Sequence, residues 1–165
     1  MTAEPTDFCR LWLFRHPELD PAHAERAVGA GPADLSRRGR AQVLHWLEVL
    51  KPFAIAAVHS SPQPQCLGPA RGLAEAHGQD GVADPRLRDQ EMGRWQGRAW
   101  SDVMRDEDGA VRTFFTEFGD ARAPGGESLG EGVERLLSWW TETMPGVAGK
   151  ALAVVLPGSV LSGFV

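Results

Sequence analysis

The sequence predicts a three-layer α/β sandwich, with a mainly parallel sheet and helices on both faces. Two observations carry that expectation. The runs 11–14 (LWLF), 54–58 (AIAAV) and 151–156 (ALAVVL) are short and apolar throughout, the pattern of strands buried on both faces. Helical spacing fills the segments between them, and strands alternating with helices pair in parallel. The first run ends at Arg15-His16-Pro17, where proline turns the chain away from helix. After a polar stretch to Asp34, Ser36 reads as the N-cap of a helix ending at Leu50, with Val43, Leu44, Leu47 and Leu50 on one face. The second run is closed by His59-Ser60-Ser61-Pro62, and a helix is expected over 66–77 in spite of Gly68, Pro69 and Gly72. Residues 84–97 have turn chemistry without a period and read as a long functional loop. A helix over 99–118 is expected to break near Asp108-Gly109, and Ser128 is expected to cap a helix to Thr143 carrying Val133, Leu136, Leu137 and Trp140. Ligands of such sheets sit beyond the carboxyl ends of the strands. That selects Arg15-His16, His59-Ser60-Ser61 and the residues after Leu156.

The 165 residues fit one domain over 1–165. A net charge of −5 gives no basic footprint for nucleic acid, so any anion must be met by a local cluster of positive groups. The longest apolar stretch, 151–165, is interrupted by Pro157 and glycines and is too short for a membrane span. Cys9 and Cys66 make no CxxC pair, and the acidic N-terminus lacks a signal-peptide pattern. The expectation is a cytoplasmic protein.

Several chemistries fail on their own requirements. Gly126-Glu127-Ser128-Leu129-Gly130 spells a nucleophile elbow, which needs a preceding apolar strand and a later histidine. Neither is present, since His77 is the last histidine. Cys66 and Arg71 are too closely spaced for a cysteine-phosphatase loop, so Cys66 reads as a small buried thiol. His16, Glu18, Asp20 and His23 match no metal signature and read as a solvated loop. Arg15-His16 at a strand end is left. A neutral imidazole is a nucleophile at pH 7, and the adjacent guanidinium can clamp phosphate oxygens as a bidentate fork. The partner this chemistry lacks is a carboxylic acid to protonate the leaving oxygen.

An ordered series of motifs resembles the histidine phosphatase (phosphoglycerate mutase-like) superfamily, nearest its alpha-ribazole-phosphatase-like branch. Leu13-Phe14-Arg15-His16-Pro17-Glu18 resembles the family's strand-end Arg-His-Gly-Glu. Leu35-Ser36-x-x-Gly39-x-x-Gln42 resembles its helix entry, and Ser60-Ser61-Pro62 its second strand end. Asp84 to Asp89 with Gly93-x-Trp95-x-Gly97 is similar to the acid-bearing loop, and Pro124-Gly125-Gly126-Glu127-Ser128 to the loop before the late helix.

The resemblance implies a phosphoglycerate mutase-like fold and phosphomonoester hydrolysis through phosphorylated His16, with Arg15 on the phosphoryl oxygens. Asp89 is the implied general acid and Glu91 the runner-up. Ser60 and Gln65 fall at the family's second strand end, Arg26 or Arg86 is a candidate compensating cation, and His59 is a candidate substitute for the family's late histidine; Ser60, Gln65, Arg26 and His59 are the candidate substrate-binding residues. No metal or cofactor is implied, and the partner is a small phosphorylated substrate. Three positions depart from the family pattern: Pro17 replaces a glycine, Gln65 a phosphate-binding arginine, and Pro157 the histidine after the last strand. These departures imply strongly reduced activity. The alternative is a noncatalytic pseudophosphatase that binds a phosphorylated metabolite or a protein partner. The chain also stops eight residues after Pro157, short of the family's usual extent. Residues 160–165 are therefore expected to begin a helix without its continuation.

Overall fold

The structure is a computed structural model that describes residues 8–117 and 119–162. The expectations for the N-terminal seven residues, for Phe118 and for residues 163–165 fall outside the described residues. Four parallel strands, β1 (Arg10–Arg15), β2 (Ala57–Ser60), β3 (Gly81–Ala83) and β4 (Ala151–Leu156), form one sheet in the order β1-β4-β2-β3. The helices are α1 (Arg37–Leu50), α2 (Pro64–Ala76), α3 (Trp100–Thr116), α4 (Leu129–Thr143) and α5 (Gly158–Ser162).

Alternation along the strands builds the two faces. Leu152, Val154 and Leu156 of β4 pack with Leu11 and Leu13 of β1 against Leu136 and Trp139 of α4. Ala153 and Val155 face the other way with Trp12 and Phe14, against Leu50 of α1 and Leu73 of α2. Helices thus cover both faces, as the sequence predicts. Leu152, Val154, Val155 and Leu156 are fully buried, and each of these side chains contributes about 1.5–3 kcal/mol. A third cluster, around Trp95, Val103, Val111 and Phe114, packs α3 against the loops beyond the strands. Trp139 is fully buried and Trp140 packs beside it, so both belong to the core.

Local chemistry sets the boundaries. Ser36 Oγ accepts the Gly39 N–H at 2.9 Å to start α1. Ser128 and Glu131 form a reciprocal capping box at α4. Pro64 in the first turn of α2 starts that helix ahead of the expected residue 66. α3 bends at Glu107, next to the expected break, and then continues.

Three expectations need correction. β2 lies at 57–60 rather than 54–58, because Ile55 is buried ahead of the ladder and hydrogen bonding begins as Ala56 N–H meets Ala151 O at 2.9 Å. β1 is an edge strand, only half buried. β3, exposed along its length, was not predicted. No helix among the described residues is long and apolar enough to cross a membrane.

Candidate active site

Parallel pairing brings all four carboxyl ends to one edge of the sheet, and the ladder runs one residue beyond it. His16 N–H donates to Leu156 O at 2.8 Å, and Ser61 N–H to Val155 O at 3.1 Å. A cavity of about 810 Å³ opens above the β1 end, lined by Arg15, His16, Arg26, Asp89 and Ser159 among others. His16 Nδ1 lies 2.8 Å from Pro17 O. A carbonyl only accepts, so Nδ1 carries the proton and Nε2 keeps its lone pair. Burial pushes the imidazole below its ordinary value and Arg15 adds to that, outweighing the Pro17 carbonyl and the Asp89 carboxylate. His16 is therefore neutral at pH 7. The Arg15 guanidinium has no hydrogen-bond or ion-pair partner among the described residues and lies across Gly158. A Cβ there would stand 2.8 Å from Arg15 Nε.

The helix-entry motif holds the segment after His16. Glu18 O accepts Ser36 N–H at 3.0 Å, Ser36 Oγ donates to Glu18 Oε1 at 2.7 Å, and Glu18 N–H donates to Gln42 Oε1 at 2.8 Å. Gly39 permits this approach, since a Cβ there would be 2.1 Å from Glu18 O. Ser36, Gly39 and Gln42 thus clamp one loop from one helix face.

Asp89 enters from the opposite side. Its N–H donates to Gln63 Oε1 at 2.8 Å. Its Oδ1 accepts the Gln90 N–H at 2.8 Å and the hydroxyl of Ser159. Burial raises this carboxyl above its ordinary value, against the Ser159 and Gln90 hydrogen bonds and the His16 and Arg135 charges. Glu127 supports the loop: Arg135 donates to both of its oxygens at 2.7 and 2.8 Å, and Glu127 Oε2 accepts Glu91 N–H at 3.2 Å. Burial alone would raise the Glu127 carboxyl, but the bonds from Arg135 and the Glu91 N–H, with the Arg135 and Arg88 charges, hold it below its ordinary value. Gly126 and Gly93 let the two loops touch, because Cβ atoms there would meet Glu91 O and Pro124 O at 2.3 and 2.4 Å.

Of the implied site residues, the structure brings Arg15, His16, Asp89 and Arg26 to this cavity and leaves Ser60, Gln65 and His59 out of it. Arg26 donates to Ala22 O at 3.1 Å and Gly97 O at 2.9 Å. Ser60 is buried in β2. Gln65 is buried too, accepting from Ala33 N–H and donating to Gly31 O, both at 3.1 Å. His59 Nδ1 accepts from Trp139 Nε1 at 3.1 Å, its ring edge-on to the indole. Arg86 is paired with Asp84 and Glu142. Glu91 is exposed and pairs with Arg88. The Cys66 thiol is fully buried and its pKa is pushed far up by burial. Glu18, Asp20 and His23 are occupied by Ser36, Ala22 N–H and Asp34 N–H, and the described residues hold no metal-binding group of three. Sequence reasoning missed the roles of Gln63, Gly158 and Ser159. Their only signal was position, just after a strand end.

A family model described as the histidine phosphatase superfamily (branch 1) matches residues 11–165. A probable phosphoglycerate mutase, GpmB, of Enterobacter sp. (strain 638) is 30% identical over 122 residues, covering 74% of this chain and 57% of that protein. The chain therefore spans a little over half the length of that relative. Among solved structures, the alpha-ribazole phosphatase from Shigella flexneri superposes with a TM-score of 0.82 at 23% identity, covering 93% of this chain and 76% of that one. A mycobacterial glucosyl-3-phosphoglycerate phosphatase in complex with inorganic phosphate superposes with a TM-score of 0.77 at 26% identity, covering 93% and 75%.

Proposed function

The chain belongs to the histidine phosphatase superfamily (branch 1), and we propose that it hydrolyses small phosphomonoesters through a phosphohistidine at His16. One observation carries this reading. His16 is fixed as the Nδ1–H tautomer by Pro17 O, in a cavity that also holds the Arg15 guanidinium and the Asp89 carboxyl. Nε2 attacks phosphorus while Arg15 holds the phosphoryl oxygens. The ester P–O bond breaks, and the proton of Asp89 passes to the leaving oxygen, which departs as the alcohol. Water then attacks the phosphohistidine and gives its proton to the Asp89 carboxylate. The P–N bond breaks and inorganic phosphate leaves.

The rate is expected to be low. Pro157 has no N–H and Gln65 faces inward, and each oriented donor missing from a developing anion costs about 10²–10³ in rate. The same two residues favour a second reading, in which the cavity binds a phosphorylated metabolite or protein partner without turnover. Hydrolysis of 4-nitrophenyl phosphate and a panel of sugar and glycerate phosphates by the wild type and His16→Ala decides between them. The hydrolase reading expects a loss of at least about 10³-fold in the variant and an acid-labile phosphorylated protein only in the wild type. Equal turnover in the two proteins overturns it. Activity requires neutral His16 with protonated Asp89. Because burial lowers His16 from 6.5 and raises Asp89 from 3.8, the bell-shaped kcat/KM profile should peak between these values, its limbs drawn toward each other.

A further inference from the structure

We propose that Ser159 is a positioning residue whose hydroxyl confines the transferable proton of Asp89 to Oδ2; the inference rests on the hydrolase reading. The two carboxyl oxygens have different surroundings. Oδ1 accepts the Gln90 N–H at 2.8 Å and the Ser159 hydroxyl. An amide N–H can only donate, so one lone pair of Oδ1 is committed under all conditions. Ser159 takes the other. Oδ2 accepts from none of the described residues, and it is not sealed away from the cavity that Asp89 lines. A proton on this acid therefore belongs on Oδ2, the atom open to a leaving oxygen. Without Ser159, the proton can also sit on Oδ1, where it faces α5 rather than substrate, and rotation of the carboxyl is restrained by Gln90 alone.

α5 follows β4 through the buried Pro157, and Leu161 N–H returns to Pro157 O at 3.1 Å. The hydroxyl is thus fixed by the end of the last strand, on an element independent of the acid's own loop. In this protein the residues after β4 reach the acid, where the family pattern places a histidine on the phosphoryl group. The other groups facing Asp89 are His16 after β1, Arg135 of α4 and the neutral Cys66 thiol of α2. None of these takes the place of a donor to Oδ1. The Ser159 bond also favours the ionised carboxylate, so its removal lets the acid hold its proton to higher pH.

The test compares wild type, Ser159→Ala and Ser159→Thr on two esters that need the acid to different degrees. Butyl phosphate has a poor leaving group and depends on protonation, whereas 4-nitrophenyl phosphate scarcely does. Ser159→Ala should lower kcat on butyl phosphate by about tenfold or more and leave the aryl ester within about twofold. KM should be unchanged, and the acid limb of the pH profile, which follows Asp89, should move upward. Ser159→Thr should restore both rate and limb. Equal losses on the two esters, an unmoved limb, or no rescue by threonine overturns the proposal while leaving the hydrolase reading intact. If the wild type cleaves neither ester, the hydrolase reading fails and the proposal with it.

Discussion

The ends of β1 and β2 lie on the same edge of one sheet with only β4 between them, yet their polar side chains behave in opposite ways. Beyond β1, His16 keeps a free Nε2 and Arg15 keeps an unpaired guanidinium, both facing a cavity. Beyond β2, Ser60, Ser61, Gln63 and Gln65 are all at most 5% exposed. The side chains of Ser61, Gln63 and Gln65 are spent inside: Gln63 accepts from Ser61 Oγ and Asp89 N–H and donates to Gly29 O and Gly31 O, while Gln65 ties Gly31 and Ala33. Depth rather than residue type separates the two ends. A buried polar group must be satisfied within the protein, so it acts as a strut; a partly exposed one retains capacity for a ligand.

The largest expected effect attacks the β1 end. In Gly158→Ala the new Cβ would lie 2.8 Å from Nε and 3.1 Å from Cζ of Arg15. The obstructed atoms are the far end of a flexible side chain, so the guanidinium moves and the backbone stays. Displacing this cation should raise KM for phosphate esters by about tenfold to 100-fold, the effect of losing a charge-assisted pair of about 1.5–3 kcal/mol, with thermal stability nearly unchanged. Steady-state kinetics beside a melting curve check this. A stable variant with unaltered KM would mean that Arg15 does not hold the phosphoryl group.

At the β2 end the expectation is reversed. Gln65→Ala leaves the Ala33 N–H without its partner at a buried position, which should cost about 1–3 kcal/mol of stability. Urea denaturation measures that cost, and KM should hold steady. A raised KM at unchanged stability would return residue 65 to the phosphate site.

How much of this contrast was readable follows from the range of the interactions. Ser36, Ser128 and the apolar run of β4 act on residues three or four away or through simple alternation, and the sequence shows them directly. Arg15, His16 and Asp89, which line one cavity, are named by a chemical requirement and a family pattern. The shift of β2 is hidden because the run 54–58 reports apolar character rather than hydrogen bonding, and the ladder includes His59 and Ser60. β3 has no alternation to read, being exposed along its length. Ser159 and Asp89 are 70 residues apart, and Gln63 and Asp89 are 26 apart. Such pairings exist only once the sheet order is known, which is why Asp89 is legible as a candidate but its supports are not.

The smallest effect tests whether the β1 end is open because it is held from outside. Ser36 Oγ accepts the Gly39 N–H and donates to Glu18 Oε1, so one hydroxyl both starts α1 and steadies the residues after His16. Ser36→Ala should cost about 1 kcal/mol, within the usual range for a lost N-cap. The Gln42 and backbone bonds to Glu18 are kept, so kcat should change little. Ser36→Asp separates the two duties: it restores a cap acceptor but sets a second carboxylate against Glu18. If Asp recovers the stability of wild type, the cap is what matters. If it falls below Ala, repulsion at Glu18 dominates, and the loop after the nucleophile depends on that hydroxyl's proton as much as on its lone pair.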